Sequence, residues 1–423
     1  MFSKANEKTE IPFIRVGDDY YKFSSAVKSN GEVENELRRI TRQTIMDDHG
    51  NKFLSNIPKY DRFCCIPDHI NYKAVHESNY NQYHPFEHKA KKGGEDDIPW
   101  TLNLLKHVFG DQIEFGLDYI QLLYQKPTQI LPILCLVSYE NQTGKTTFLN
   151  WLFMLFKYNM IILGNTDLES NFNGLYAHKL IIAIDESKID KSKVLERIKS
   201  LATARNIVVN NKYIASYTID FFGKIILCSN YEDAFINAKD EDIRYWIRKL
   251  SKPTNPNFNI DEDLKKEIPY FLHYLQNRGL YIKKRESRMW FNPEDICTQE
   301  LKAVRDHSKS WLYKELFEVL EGYFNNDGSA KDYVEVIPDD LKKQFFINNS
   351  KVETNYIRRV LKTEYKLEPQ SIRKYNGLGD GIYKTGRPFR IDRNIFMNGN
   401  NIENGESGEN GAESIDNTVD IPF

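Results

Sequence analysis

Five short apolar runs between residues 130 and 255, separated by longer amphipathic segments, constrain this chain more than any other feature. They read L-P-I-L-C-L-V, N-M-I-I-L, K-L-I-I-A-I-D, K-I-I-L-C-S-N and R-Y-W-I-R-K-L. A strand with one wet face alternates polar and apolar residues. A strand that is apolar throughout must be covered on both faces, and helical crossovers achieve this only by placing parallel strands between helix layers. The expected class is therefore α/β with a parallel central sheet.

The first run leads directly into S-Y-E-N-Q-T-G-K-T-T, Ser138 to Thr147, and then into the apolar stretch F-L-N-W-L-F-M-L-F. Strand, glycine loop and helix in that order form a phosphate cradle, because loop amides and the helix N-terminus point at the same anion. Within it Gln142, Thr143, Gly144, Lys145, Thr146 and Thr147 are the candidate nucleotide contacts. Gly144 lets the backbone approach a phosphate, Lys145 reaches the outer phosphates, and the Thr146 hydroxyl suits Mg²⁺. Tyr139 stands where the motif G-x-x-x-x-G-K-[ST] has its first glycine.

A surface turn would account for G-K-T by itself, so a second element is required. K-L-I-I-A-I-D-E-S supplies one: a strand ending in Asp185, suited to Mg²⁺, and Glu186, suited to polarising an attacking water. A further apolar run ends in Ser229 and Asn230, whose amide suits orienting that water, although S-N is also an ordinary turn. In E-D-I-R-Y-W-I-R-K-L, Arg244 and Arg248 are either members of a salt-bridged strand edge or arginines aimed at a neighbouring subunit's γ-phosphate.

Together these motifs resemble the helicase part of phage-type primase-helicase proteins, related to the superfamily 3 helicases. The resemblance spans about residues 95–255. It implies a P-loop NTPase core of the AAA-like class that uses ATP and Mg²⁺, forms a ring, usually a hexamer, and moves along single-stranded and forked DNA. It assigns catalytic roles to Lys145, Asp185, Glu186 and Asn230, metal ligation to Thr146 and Asp185, and the arginine finger to Arg244. The family also places basic residues in the ring channel between the second and third motifs. Here that segment is A-R-N-I-V-V-N-N-K-Y-I-A-S-Y-T-I, expected to be a hairpin turning at Asn210 and Asn211, with Lys212 and Tyr213 as DNA contacts. No primase module fits the N-terminal region, so a separate primase or polymerase is implied. The alternative is an ATP-binding initiation or switch protein that grips DNA without unwinding it.

The flanks divide the chain further. Residues 1–95 read as a mixed accessory region with a hairpin at I-P-F-I-R-V and Y-Y-K-F, and 96–130 as a helical lead-in. Residues 131–255 are the core, 256–289 a helical connector, and 290–396 a winged-helix-like domain. In that domain Arg358, Arg359 and Lys362 lie along one side of a helix, followed by a hairpin with Arg373, Lys374, Lys384, Arg387 and Arg390, an arrangement suited to DNA. Residues 397–423 carry acids and no Lys or Arg and read as a disordered tail. The tail's end, Asp420, Ile421, Pro422 and Phe423, resembles the tip of bacterial single-stranded-DNA-binding proteins, which docks on replication partners.

Composition adds exclusions. The longest apolar runs fall well short of the ~20 residues a membrane helix needs, and the polar N-terminus lacks a secretory pattern. Five cysteines without C-x-x-C spacing suit a reducing compartment, here the (host) cytoplasm. His69, His76, His84 and His88 lack a cysteine partner at zinc spacing and read as ordinary polar residues.

Overall fold

The computed structural model describes residues 11–27, 33–185, 192–212, 214–239, 242–254, 256–257, 259–326, 330–347, 349, 351–378 and 383–397. Of the sequence expectations, Glu186, Tyr213, Asp420, Ile421, Pro422, Phe423 and the tail beyond residue 397 lie outside the described residues. Among the described residues the chain forms two compact units, one from residues up to 237 and 242–304, the other from 238–239 and 305–397.

All five apolar runs are strands of one sheet: β1 Ile133–Val137, β2 Met160–Leu163, β3 Ile181–Ile184, β4 Lys224–Ser229 and β5 Tyr245–Lys249. Every pairing is parallel and the spatial order is β5-β1-β4-β3-β2. Burial follows position in the sheet. Every residue of β1, β3 and β4 is buried, whereas the edge strands β2 and β5 each carry partly exposed residues. The uniform hydrophobicity of the inner strands is thus the direct consequence of two covered faces.

Five helices matter to the site: α1 Pro99–Phe109, α2 Ile113–Gln125, α3 Lys145–Phe156, α4 Ser192–Leu201 and α5 Ile260–Asn277. α1 begins with Pro99 at its first position, where a missing N–H costs nothing. Its next two amides, of Trp100 and Thr101, donate to the Glu267 carboxylate of α5 at 3.0 and 2.7 Å. A carboxylate at a helix N-terminus satisfies orphan donors and complements the dipole. α2 carries the fully buried Asp118, held by Arg278 at 2.6 Å and by the amides of Tyr281 and Ile282 at 2.9 and 2.8 Å. A buried charge left without such partners would be strongly destabilising.

Aromatic packing joins these layers. Trp246 of β5 stacks on Phe109 of α1, centroids 5.1 Å apart, and Trp151 of α3 meets Phe271 of α5 edge-on at 5.5 Å. The N-terminal region has a small core of its own around Phe13, Ile45 and Ile57, and Tyr83 joins it to the main core. Phe13–Val16 pairs antiparallel with Asp19–Val27, as the sequence suggests, and nearby the buried Asn81 bonds Ile66, Lys73 and Tyr83. Tyr83 in turn shares a 2.6 Å hydrogen bond with His69, whose other ring nitrogen meets the Tyr124 carbonyl at 2.8 Å.

In the second unit α6 Trp311–Asn325, α7 Pro338–Phe345 and α8 Thr354–Thr363 surround a core that includes Leu316, Leu320, Leu341, Ile357 and Val360. The hairpin expected to carry Arg373, Lys374, Lys384, Arg387 and Arg390 is split between two sheets. Lys384–Gly386 pairs with Arg373–Tyr375, and Phe389–Asp392 pairs instead with Tyr333–Val336, a strand the sequence reading missed. Pro388 stands at the break, where it has no N–H to continue a ladder.

Candidate functional site

Parallel strands deliver all their carboxyl ends to one edge of the sheet, where open α/β sheets hold ligands. At this edge Val137 of β1 lies opposite Ser229 of β4, and Leu227 of β4 opposite Ile184 of β3. The three motifs that follow these strands are therefore neighbours. Asn141, Gln142, Thr143, Gly144, Lys145, Thr146, Thr147, Asp185 and Asn230 together line one pocket of about 270 Å³.

The loop explains why Tyr139 is tolerated. The backbone enters the left-handed region at Gln142, φ 59°, and at Gly144, φ 89°, and not at residue 139. The freedom of a glycine is used at Gly144, at the start of α3. Tyr139 turns outward, 59% exposed, with its N–H donating to Glu232 at 3.1 Å and its hydroxyl to Asp233 at 2.8 Å. His107 of α1 reaches the loop from below, 2.9 Å from the Thr143 carbonyl. Neither this brace nor the Glu232–Asp233 clamp left a local signal in the sequence, because each is a contact across at least 36 residues.

Lys145 is buried, only 8% exposed. Its ammonium meets the Ser138 and Glu140 carbonyls and the Thr143 hydroxyl at 3.4, 3.5 and 3.4 Å, all long for hydrogen bonds. Among the described residues it forms no ion pair. Burial pulls its pKa below the ordinary lysine value, while the nearby Cys228, Asp185 and Glu232 oppose that shift. A half-satisfied buried cation facing a pocket fits an anionic ligand. Thr146 and Asp185, an alcohol and a carboxylate on the same pocket wall, are the oxygen donors that a hard cation such as Mg²⁺ takes.

Arg244 is elsewhere. It precedes β5, at the amino edge of the sheet, and its carbonyl accepts from the Ile133 amide at 2.8 Å where β1 begins. Its guanidinium lies 3.4 Å from Asp242, which also pairs with Lys199 of α4 at 3.2 Å. Arg244 lines a second pocket of about 210 Å³ with Arg288, Ser287, Met289, Phe291, Pro293 and Ile296. Arg248 has a structural setting: it pairs with Asp111 at 2.9 Å and bonds Gln112 at 2.9 Å in the α1–α2 corner.

The expected hairpin exists, Asn206–Asn211 against Ile214–Asp220. Its turn is displaced from the position read in the sequence. Asn210 and Asn211 remain in the strand, and the turn begins at Lys212, because the Asn210 amide and carbonyl are both engaged by Asn173. Lys212 is exposed, its ammonium 5.6 Å from the ring of Phe172, itself 45% exposed. Phe172, like His107, Glu232 and Asp233, is a neighbour that the sequence reading overlooked.

On α8 of the second unit Arg358, Arg359 and Lys362 are exposed while Ile357, Val360 and Leu361 face the core. Arg358 bonds Asn355 at 3.2 Å, Arg359 lies over Tyr356, and Lys362 is 3.4 Å from Glu368. Several bases of the following hairpin are engaged within the unit: Arg373 with Glu335, Lys384 with Asp340 at 3.0 Å, and Arg390 with Asp392 at 2.8 Å. His88 meets the Met154 carbonyl at 2.7 Å, and among the described residues no three or more His, Cys, Asp and Glu cluster so as to hold a metal ion among themselves. Nor, among those residues, is any helix long and apolar enough to cross a membrane.

Residues 136–248 match the model of a family of unknown function, DUF5906. No curated protein matches the chain in sequence. Among solved structures, an apo structure of the C-terminal region of NrS-1, residues 305–718, aligns with TM-score 0.62 and 16% identity, covering 90% of this chain and 96% of that one. The A form of the same apo region aligns with TM-score 0.60 and 14% identity, covering 89% and 95%. At such identities the likeness is one of fold.

Proposed function

We propose that this chain is an ATP-driven DNA helicase of phage or mobile-element replication, of the superfamily 3 type, working as a ring, most simply a hexamer, in the host cytoplasm. One observation carries the reading: loop 141–147, Asp185 and Asn230, far apart in sequence, line a single pocket at the carboxyl ends of β1, β3 and β4. In this proposal Lys145 holds the outer phosphates, Asn230 orients the attacking water, and Glu186 polarises it. Thr146 and Asp185 hold Mg²⁺, which when bound neutralises charge on the phosphate oxygens. Arg244, at the other edge of the sheet, serves the neighbouring subunit's pocket.

DNA contacts follow the same logic. Lys212 offers charge to a strand's phosphates and Phe172 a ring for its bases. The second unit, read as winged-helix-like, would present Arg358, Arg359 and Lys362 to duplex. Priming would fall to a separate primase or polymerase, recruited in this reading through Asp420 to Phe423 of the tail.

The test is unwinding of forked DNA with ATP and Mg²⁺. The expected result is strand displacement by the wild-type protein and none by Lys145→Ala, with turnover reduced about 10³-fold. DNA-stimulated hydrolysis without displacement would instead assign a switch or initiation role. Absence of nucleotide binding by the wild-type protein would end the reading.

A further inference from the structure

His107 is a partly buried side chain that grips the loop of residues 141–147 without lining its pocket. It stands in the last turn of α1, and its Nε2 lies 2.9 Å from the Thr143 carbonyl. A carbonyl only accepts, so the hydrogen of this bond sits on Nε2. The helix that carries the ring is itself held. Its first amides bond the Glu267 carboxylate, and Phe109, two residues beyond His107, packs on Trp246 of β5 and Phe148 of α3. A donor on so fixed an element fixes its acceptor in turn.

That acceptor is one end of a peptide unit. The Thr143–Gly144 peptide is planar and trans, so its carbonyl and the Gly144 N–H point in opposite directions. His107 takes the carbonyl from outside the pocket, because Thr143 and Gly144 line that pocket and His107 does not. The Gly144 N–H is thereby turned inward, beside the amides of Lys145, Thr146 and Thr147, which open α3 and have no partner within the helix. The same hold places the buried Thr143 hydroxyl 3.4 Å from the Lys145 ammonium. Gly144, at φ 89°, leaves this conformation without a steric barrier. A peptide released by His107 is free to rotate and to present its carbonyl oxygen, which repels an anion.

We propose that His107 is a positioning residue for the phosphates: through the Thr143 carbonyl it keeps the Gly144 N–H aimed at them. The proposal rests on the reading of this pocket as a nucleotide site. It adds a residue from outside the loop to the machinery that reads the phosphate chain.

The experiment uses the full chain. Binding of inorganic tripolyphosphate and of ATP, each with Mg²⁺, is measured by calorimetry, and ATP turnover alongside. His107→Phe keeps a ring and removes the donor. His107→Gln carries an amide nitrogen as many bonds from the backbone as Nε2, and His107→Asn carries one a bond short. His107→Phe and His107→Asn are expected to bind both ligands about 10- to 100-fold more weakly, with KM for ATP raised by a similar factor and kcat little changed. His107→Gln is expected to restore binding to within about threefold of wild type. A side chain that merely supported the fold would lower the folded fraction and leave KM alone. Wild-type affinity in His107→Phe, or His107→Gln no better than His107→Asn, overturns the proposal. Should the wild type bind tripolyphosphate and not ATP, the functional reading falls, and the order of the variants on tripolyphosphate still decides the role of His107. A wild type that binds neither ends both.

Discussion

The two edges of the central sheet are built from the same five strands and behave as opposites. At the carboxyl edge, residues from three motifs close on one pocket within a single chain. At the amino edge, Arg244 and Arg288 border a pocket that brings together no nucleotide motif. A parallel sheet imposes this asymmetry, since every strand sends its following loop the same way. What the comparison teaches is that a single chain gathers its motifs at one edge of the sheet, whereas the other edge gathers none of them.

The sharpest way to break the comparison is Arg244→Ala. If the amino edge works on a neighbour, turnover should fall by roughly 10³-fold or more with nucleotide binding unchanged. Mixing with Lys145→Ala protein should restore part of it; a variant with full turnover would make the amino edge inert. Next in size is Trp151→Ala, in the helix that follows the loop. It removes a fully buried indole packed on Phe148 and Phe271, and unfolding in urea should register a loss of about 3–5 kcal/mol.

Arg248→Ala separates the arginine within β5 from the one that precedes it. Removing its contacts to Asp111 and Gln112 should cost about 1–3 kcal/mol in urea denaturation, with turnover per folded molecule retained. A catalytic loss matching that of Arg244→Ala would mean the roles had been assigned the wrong way round.

The pH-dependent effect belongs to Lys224, at the amino end of β4. It is buried without a carboxylate partner among the described ion pairs, its ammonium donating to the Phe222 and Pro127 carbonyls, and burial lowers its pKa to about 7. The unfolded chain therefore binds a proton that the folded chain has released between pH 7 and the ordinary lysine value near 10.5. Stability contributed by this site should rise with pH through that window, by at most about 1.4 kcal/mol per pH unit. Wild-type and Lys224→Met stabilities, measured from pH 7 to 10, should show that difference in slope; parallel curves would remove Lys224 from the account.

Much was legible before any coordinates. The five apolar runs became the five parallel strands because a doubly covered strand is apolar at every position, a signal contained within a few consecutive residues. G-K-T-T after β1 and Asp185 after β3 were legible for the same reason, since each motif is local and attached to a recognisable strand. The displaced turn at Lys212 was not, because it depends on Asn173 engaging Asn210 across 37 residues. Nor was the strand Tyr333–Val336, whose partner Phe389–Asp392 arrives only after two other strands have intervened.

By itself, then, the sequence determined the sheet, its parallel sense and the residues that gather at its carboxyl ends. Tertiary structure alone decided that β4 lies between β1 and β3, which puts Asn230 beside Asp185 and Lys145. It also decided that Tyr139 faces water and that Arg244 stands at the far edge. Strand order and side-chain reach are set by contacts between segments distant in sequence, and no window of consecutive residues carries them.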